Sequence, residues 1–240
     1  MSPSSGRTDV TTAWVVIGGD LVDQAVPHDL PAGVAIVAAD SGLDLAERLG
    51  LRPIVVVGDL DSVTAGALRR ATGSGVEIVR APAEKDETDF ELALDWARAT
   101  GAREVLVLGG AAGRLDHLVA NLAVLTGPLT AGLAVSAWLG TTRVDVVRER
   151  VELSGAVGAL VSLSAWHGPA IGVTTSGLRY PLDGETLHAG SARGTSNEFI
   201  GDLATVELTS GVLVAIAPEA WRTTDVRVVA ATDRPTGGPT

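Results

Sequence analysis

Two groups of carboxylates stand out in this chain for their spacing. Asp59 and Asp61 lie two apart in Gly58-Asp59-Leu60-Asp61-Ser62, and Asp86 and Asp89 lie three apart in Glu84-Lys85-Asp86-Glu87-Thr88-Asp89-Phe90-Glu91. Carboxylate oxygens are hard ligands suited to Mg²⁺, and an Asp-x-Asp in an extended turn can offer both side chains to one ion. Asp61-Ser62 can equally cap a helix beginning near Thr64, which accounts for one aspartate and leaves Asp59 unexplained. At helical spacing Asp86 and Asp89 share a face with Leu92 and Ala93, although acids also suit a first helical turn on electrostatic grounds alone. Lys85 is the only lysine of the chain. Beside those acids its ammonium can hold a phosphate oxygen while they hold metal. A compositional drift from Lys to Arg would leave a lone lysine with no role.

A third segment, Gly109-Gly110-Ala111-Ala112-Gly113-Arg114-Leu115-Asp116-His117, joins a glycine-rich turn to Arg, Asp and His. Arg114 has the planar fork that binds phosphate through two donors. His117 reads as a structural cap or as a base. There is no P-loop and no protein-kinase motif set, and Gly18-Gly19 lacks the third glycine of a dinucleotide fingerprint. The formal net charge of −11 speaks against a nucleic-acid partner, which demands clustered Lys and Arg. An acidic chain still binds a polyphosphate when a divalent metal neutralises both parties. The chain has no cysteine, which excludes disulfides, thiol catalysis and thiolate metal sites. No apolar run has membrane-spanning length. The polar start, Met1 to Thr12, lacks the apolar core of a signal peptide, so a cytoplasmic location is expected.

The elements that must position these residues differ between the two halves. Apolar runs at Ala13–Ile17, Val34–Ala39, Ile54–Val57, Val76–Val79, Val105–Leu108 and Ala134–Leu139 alternate with helical patterns at Asp44–Leu49, Thr64–Ala71, Thr88–Ala99 and Leu118–Leu125. Continuous apolar strands separated by helices predict a mostly parallel α/β sheet covered on both faces. Four of the runs lead directly into glycine or acid: Gly18-Gly19-Asp20, Asp40-Ser41-Gly42, Gly58 to Ser62 and Gly109 to His117. A parallel sheet places such loops together outside the carboxyl ends of its strands, where open α/β sheets bind ligands. From Val144 onward the pattern becomes closely spaced β stretches, at Ala159–Ser164, Ile171–Thr175, Glu185–His188, Leu203–Leu208 and Val212–Ile216, with no convincing helix. That predicts an antiparallel sandwich or barrel. The expected units are 1–143, 144–231 and a flexible Pro-, Gly- and Thr-rich tail at 232–240.

In order, these segments resemble the thiamine pyrophosphokinase family across nearly the whole chain. Ala39-Asp40-Ser41-Gly42 is similar to the family's A-D-G-G, and Gly58 to Ser62 to its G-D-F-D-S. Lys85 to Glu91 matches K-D-x-T-D-x-E, and Gly113 to His117 with Asn121 matches G-R-x-D-H-x-x-x-N. In the second half, Gly172 to Leu182 is similar to G-V-T-T-x-G-L-K-Y-P-L, and Ser196-Asn197-Glu198 matches the terminal S-N-E block. Ser41, Leu60 and Arg179 stand where the family has glycine, phenylalanine and lysine, and none of these departures removes a metal- or phosphate-directed group.

The resemblance implies an N-terminal α/β domain, a C-terminal antiparallel β-sandwich and a homodimer with shared active sites. It also implies an ATP-dependent transfer of diphosphate to the hydroxyl of thiamine, with Mg²⁺. In that light Asp59, Asp61 and Asp89 bind Mg²⁺ with Asp86 nearby. Asp40, Lys85, Thr88, Arg114 and Asp116 line the nucleotide and phosphate region, and Tyr180, Ser196 and Asn197 help to hold thiamine. The last three would look the same as a strand-end aromatic followed by a tight turn. No general base is identified; Asp116 is a candidate. The alternatives are a related kinase acting on another alcohol, and a non-catalytic sensor of nucleotide or thiamine diphosphate.

Overall fold

The computed structural model describes residues 11–19, 33–109 and 114–218. Asp20, the turn residues 110–113 and the tail expected at 232–240 lie outside them. Six strands form the first half: β1 (Thr12–Val16), β2 (Ala35–Ala39), β3 (Val55–Gly58), β4 (Glu77–Arg80), β5 (Glu104–Gly109) and β6 (Ala134–Leu139). They pair in parallel in the order β4-β3-β2-β1-β5-β6. Sequence order reverses at the β1/β5 pair, which makes the carboxyl edge there a crevice. The inner strands are buried on both faces, as their unbroken apolar runs require. Successive side chains point to opposite layers. Ala13, Val15 and Ile17 enter one core, whereas Trp14 and Val16 enter another.

The helices are α1 (Gly42–Arg48), α2 (Ala65–Gly73), α3 (Asp89–Ala99) and α4 (Leu115–Thr126). α3 lays Phe90, Ala93, Leu94 and Ala97 on the first core, and its start is fixed by a reciprocal capping box. Thr88 Oγ1 accepts from Glu91 N, and the Glu91 carboxylate accepts from Thr88 N at 2.8 Å. The sequence pattern predicts α4 from Leu118; the structure extends it back to Leu115. Its first half is poorly covered, with Leu115 74% and Val119 52% exposed.

The second half contains β7 (Thr142–Val147), β8 (Arg150–Ser154), β9 (Leu160–Ser176), β10 (Glu185–Leu187), β11 (Asn197–Glu198), β12 (Leu203–Glu207) and β13 (Ser210–Ala217). All pairings here are antiparallel. The stretches predicted as separate strands near 159–164 and 171–175 belong to one 17-residue strand, β9. It bends at His167 and Gly168, both at positive φ. Before the bend β9 pairs with β13 and β11; after it, β9 pairs with β10 and β12 and meets β13 again at Ile171. The bend therefore folds the sheet over a second core that includes Val161, Leu163, Val173, Leu187, Phe199 and Val206. Among the described residues no helix is long and apolar enough to cross a membrane.

The halves are joined by more than the chain. β7 pairs with β6 on one side and β13 on the other, so hydrogen bonding runs across the junction. Arg148, just after β7, turns its Nη2 onto the carbonyl end of α4, 3.0 Å from Thr126 O, 3.1 Å from Gly127 O and 3.0 Å from Thr130 Oγ1. His167 Nε2 lies 2.9 Å from Thr126 Oγ1. A cation at the carbonyl end satisfies orphan acceptors and complements the helix dipole. Replacing Arg148 by Met keeps the apolar stem and strips those acceptors of their donor. The expected loss is about 2 kcal/mol of stability, read as a lower urea midpoint at unchanged slope. An unchanged midpoint would show that the contact contributes nothing.

Candidate active site

The pairing of Ala39 with Val57 sets the end of β2 level with the end of β3. Asp40 therefore follows β2 beside Gly58, and its N–H donates to Val57 O at 2.9 Å. Asp40 takes a left-handed conformation, φ +46°, which aspartate tolerates better than most residues. Asp59 follows β3 directly, and Asp89 is the first residue of α3, held there by the Thr88 cap. These three chain positions bring carboxylate oxygens of Asp40, Asp59 and Asp89 within 4.8 Å of one another.

Gly58 makes room for this. At φ +145°, a Cβ on Gly58 would lie 3.0 Å from Asp89 Cγ and 3.3 Å from Asp40 Cβ. Any side chain there would drive into the group. Leu60, at φ +67°, is in a conformation that is costly for a bulky residue. Burial of its side chain against Leu43, Val56, Ala67 and Ala71 offsets that cost. With Leu60 turned inward, Asp61 faces outward. Its N–H donates to Asp59 Oδ1 at 3.1 Å, and its carboxylate accepts from Ser62 Oγ at 2.8 Å. The far end of the loop is held by Asp44 of α1, whose carboxylate accepts from both the N–H and the hydroxyl of Thr64. Thr64 in turn caps α2.

Burial raises the Asp40 carboxyl above its ordinary range; the charges of Asp89 and Asp59 push the same way, while the Ser41 and Ser62 backbone groups oppose. Asp40 Oδ1 and Asp89 Oδ1 are buried acceptors with no hydrogen-bond donor. Lys85 is the nearby cation, its Nζ 3.0 Å from Asp89 Oδ1 and 3.9 Å from Asp59 Oδ2. The ammonium is at ion-pair distance without being aligned for a hydrogen bond to Asp89. Converging hard oxygens, open lone pairs and the space left by Gly58 fit a divalent cation such as Mg²⁺.

Of the residues singled out in the sequence, the group takes in Asp59, Asp89 and Asp40, with Lys85 against it. Asp61 shares the loop but directs its carboxylate to Ser62. Asp86 is exposed, and Thr88 is occupied as the α3 cap. Arg114 and Asp116 stand at the start of α4, both exposed, in a forked ion pair. Tyr180, Ser196 and Asn197 lie in the second half. The buried Asn197 accepts from Tyr180 N at 3.0 Å and donates to Tyr180 O at 2.8 Å. Asn197 thus holds the Tyr180 backbone, and Tyr180 as a whole is 58% exposed. Ser196 is exposed at φ +58°. Asp40 could have been placed with the metal-directed acids from strand register alone. Asp44 could not, because its partner lies twenty residues away.

The family model described as thiamin pyrophosphokinase, catalytic domain, matches residues 31–136, and that described as thiamin pyrophosphokinase, vitamin B1 binding domain, matches 147–213. The chain belongs to the thiamine pyrophosphokinase family. This family member is 27% identical over 217 residues to thiamine pyrophosphokinase of Bacillus subtilis, covering 85% of this chain and 97% of that protein. It is 28% identical over 185 residues to thiamine pyrophosphokinase 1 of Arabidopsis thaliana, covering 72% and 68%. The solved structure of thiamin pyrophosphokinase from Geobacillus thermodenitrificans aligns with TM-score 0.71 at 28% identity, covering 87% of this chain and 97% of that one. The Bacillus subtilis structure aligns with TM-score 0.76 at 24% identity, covering 87% and 99%, and shares the fold.

The Arg114 guanidinium holds the Asp116 carboxyl down to about 2, from an ordinary 3.8. Whatever stability the pair provides is therefore complete above the ordinary value and lost as pH falls toward about 2. A carboxyl titration followed by NMR should place Asp116 near 2 and return it toward 3.8 in Arg114→Gln. An Asp116 midpoint near 3.8 in the unmodified chain would refute the pairing.

Proposed function

We propose that this family member transfers the terminal diphosphate of MgATP to the primary hydroxyl of thiamine, giving thiamine diphosphate and AMP. The observation that carries this reading is the Asp40–Asp59–Asp89 group with Lys85 against it, at the carboxyl edge of the sheet, in a chain matched by both family models. In the reaction the thiamine hydroxyl oxygen attacks the β-phosphorus and releases its proton to solvent, the bond from that phosphorus to the oxygen bridging to the α-phosphate breaks, and AMP leaves with that oxygen and the electron pair. Bound Mg²⁺ supplies charge neutralisation on the phosphate oxygens. Asp40, Asp59 and Asp89 hold it, with Asp61 stiffening the loop through its N–H on Asp59. Lys85 and Arg114 bind phosphate oxygens; Arg114 is kept in place by Asp116. Asp116 acts by orienting Arg114 through their forked ion pair. Catalysis is mainly positioning and electrostatic stabilisation, as in phosphoryl transfer generally.

The thiamine contacts assigned to the second half are Tyr180 and Ser196, with Asn197 fixing the loop that presents them. We place the working enzyme as a homodimer in which each second half completes the partner's site. Supporting this are apolar side chains left exposed in both halves, Leu115 and Val119 on α4, and Tyr180, Ile200 and Leu203 beyond the bend of β9.

Incubation with ATP, Mg²⁺ and thiamine separates the readings. Thiamine-dependent AMP supports the proposal, ADP indicates simple kinase chemistry on an alcohol, and no turnover indicates a sensor. Asp59→Asn and Asp89→Asn should each lower kcat by about a hundredfold or more with the fold retained. Near-normal turnover in either folded variant removes that residue from the metal site. For the dimer, chains carrying Asp59→Asn are co-expressed with chains carrying Tyr180→Ala and Ser196→Ala, each nearly inactive alone. Random pairing should restore about a quarter of the sites; background activity in demonstrated mixed dimers would refute shared sites.

A further inference from the structure

We propose that Lys85 is the resident counter-cation of the Asp40–Asp59–Asp89 group and competes with the divalent metal for it, an inference that rests on the metal site assigned above. The Lys85 ammonium lies 3.0 Å from Asp89 Oδ1 and 3.9 Å from Asp59 Oδ2, and its side chain is only 12% exposed. It therefore already engages two of the three carboxylates. Its remaining contact is a hydrogen bond donated to Pro82 O at 3.0 Å, which ties it to the segment before α3 without using up a carboxylate. An ammonium and a divalent ion cannot hold the same carboxylate oxygens at contact distance, since like charges that close repel strongly away from bulk water. Arrival of the metal thus displaces the ammonium. Four residues from Asp89, it cannot travel far, and a polyphosphate brought by the metal is the nearest anion for it to join.

Without the metal, Lys85 offsets repulsion among buried carboxylates. In the metal-bound, phosphate-bound state the same ammonium neutralises the substrate. Lys85 thereby weakens metal binding to the nucleotide-free protein and strengthens binding of metal together with polyphosphate. A lysine that served only as a phosphate ligand from an exposed surface would leave metal affinity of the free protein unchanged.

Mn²⁺ alone is the probe, titrated into nucleotide-free full-length protein by calorimetry or by loss of the free-ion EPR signal. Lys85→Met and Lys85→Gln, each confirmed folded by circular dichroism, should bind Mn²⁺ about tenfold tighter than the parent chain. Lys85→Arg, which keeps the charge and whose fork can take both oxygens of one carboxylate, should bind Mn²⁺ no tighter than the parent chain. The gain in Lys85→Met should vanish when Asp59→Asn is added. Unchanged or weaker Mn²⁺ binding in both neutral variants overturns the inference, as does a gain that survives Asp59→Asn. If Asp59→Asn leaves Mn²⁺ binding of the parent chain unaltered, the metal site itself is wrong and the inference falls with it. If Asp59→Asn weakens binding but neither neutral variant strengthens it, the metal site stands and the role given to Lys85 is refuted.

Discussion

Carboxylates brought within 4.8 Å of one another, with two of their oxygens buried and undonated, repel each other and lose hydration. Much of the first half of the molecule resists that repulsion. Parallel pairing of β2 with β3 fixes Asp40 beside Gly58, and the capping box fixes Asp89 at the start of α3. The inward Leu60 and the clamp from Asp44 to Thr64 keep the intervening loop from relaxing. Asp40 and Leu60 both stand at positive φ, and such backbone persists only where surroundings over-determine it. Burial, together with the charges of Asp89 and Asp59, raises the Asp40 carboxyl. A divalent cation held among these oxygens would cancel that repulsion.

The second half contributes by being rigidly continuous with the first. The turn at Gly140 and Thr141 lies between antiparallel β6 and β7, so the sheet crosses the expected junction as a ladder of hydrogen bonds. Arg148 and His167 come from the second half yet grip the carbonyl end of α4. Arg114 and Asp116 sit at the other end of that helix. The two ends of α4 thus meet different parts of the molecule, the second half at one end and the Arg114–Asp116 pair at the other.

Much of this was legible from the sequence because burial on both faces leaves a plain signature. The runs at Val34–Ala39 and Ile54–Val57 could hardly be anything but inner strands, and the acids that follow them had to share an edge. Lys85 and Asp89 were legible through their charge cluster. What the sequence did not reveal were contacts made across the chain. Asp44 reads as an ordinary first-turn acid, and nothing near it names Thr64. Likewise β9 reads as two strands, because positive φ at His167 and Gly168 interrupts the alternation without interrupting the strand. In Asp59-Leu60-Asp61 the two acids look equivalent, and only the burial of Leu60 decides which carboxylate joins the group.

The lone lysine gains a physical rationale from the same geometry. Elsewhere the cations of this chain are arginines, several of which fork onto single carboxylates, as in Arg70 with Glu47, Arg143 with Asp145 and Arg114 with Asp116. A guanidinium presents paired, parallel donors and commonly takes both oxygens of its partner. Such a fork at position 85 would occupy a whole carboxylate and close it to a metal. An ammonium is a compact charge with diverging donors. At Lys85 it reaches Asp89, Asp59 and the Pro82 carbonyl together and leaves open lone pairs on the acids. A chain that uses arginine for every other side-chain cation thus uses lysine at the point where a cation must neutralise carboxylates without sealing them.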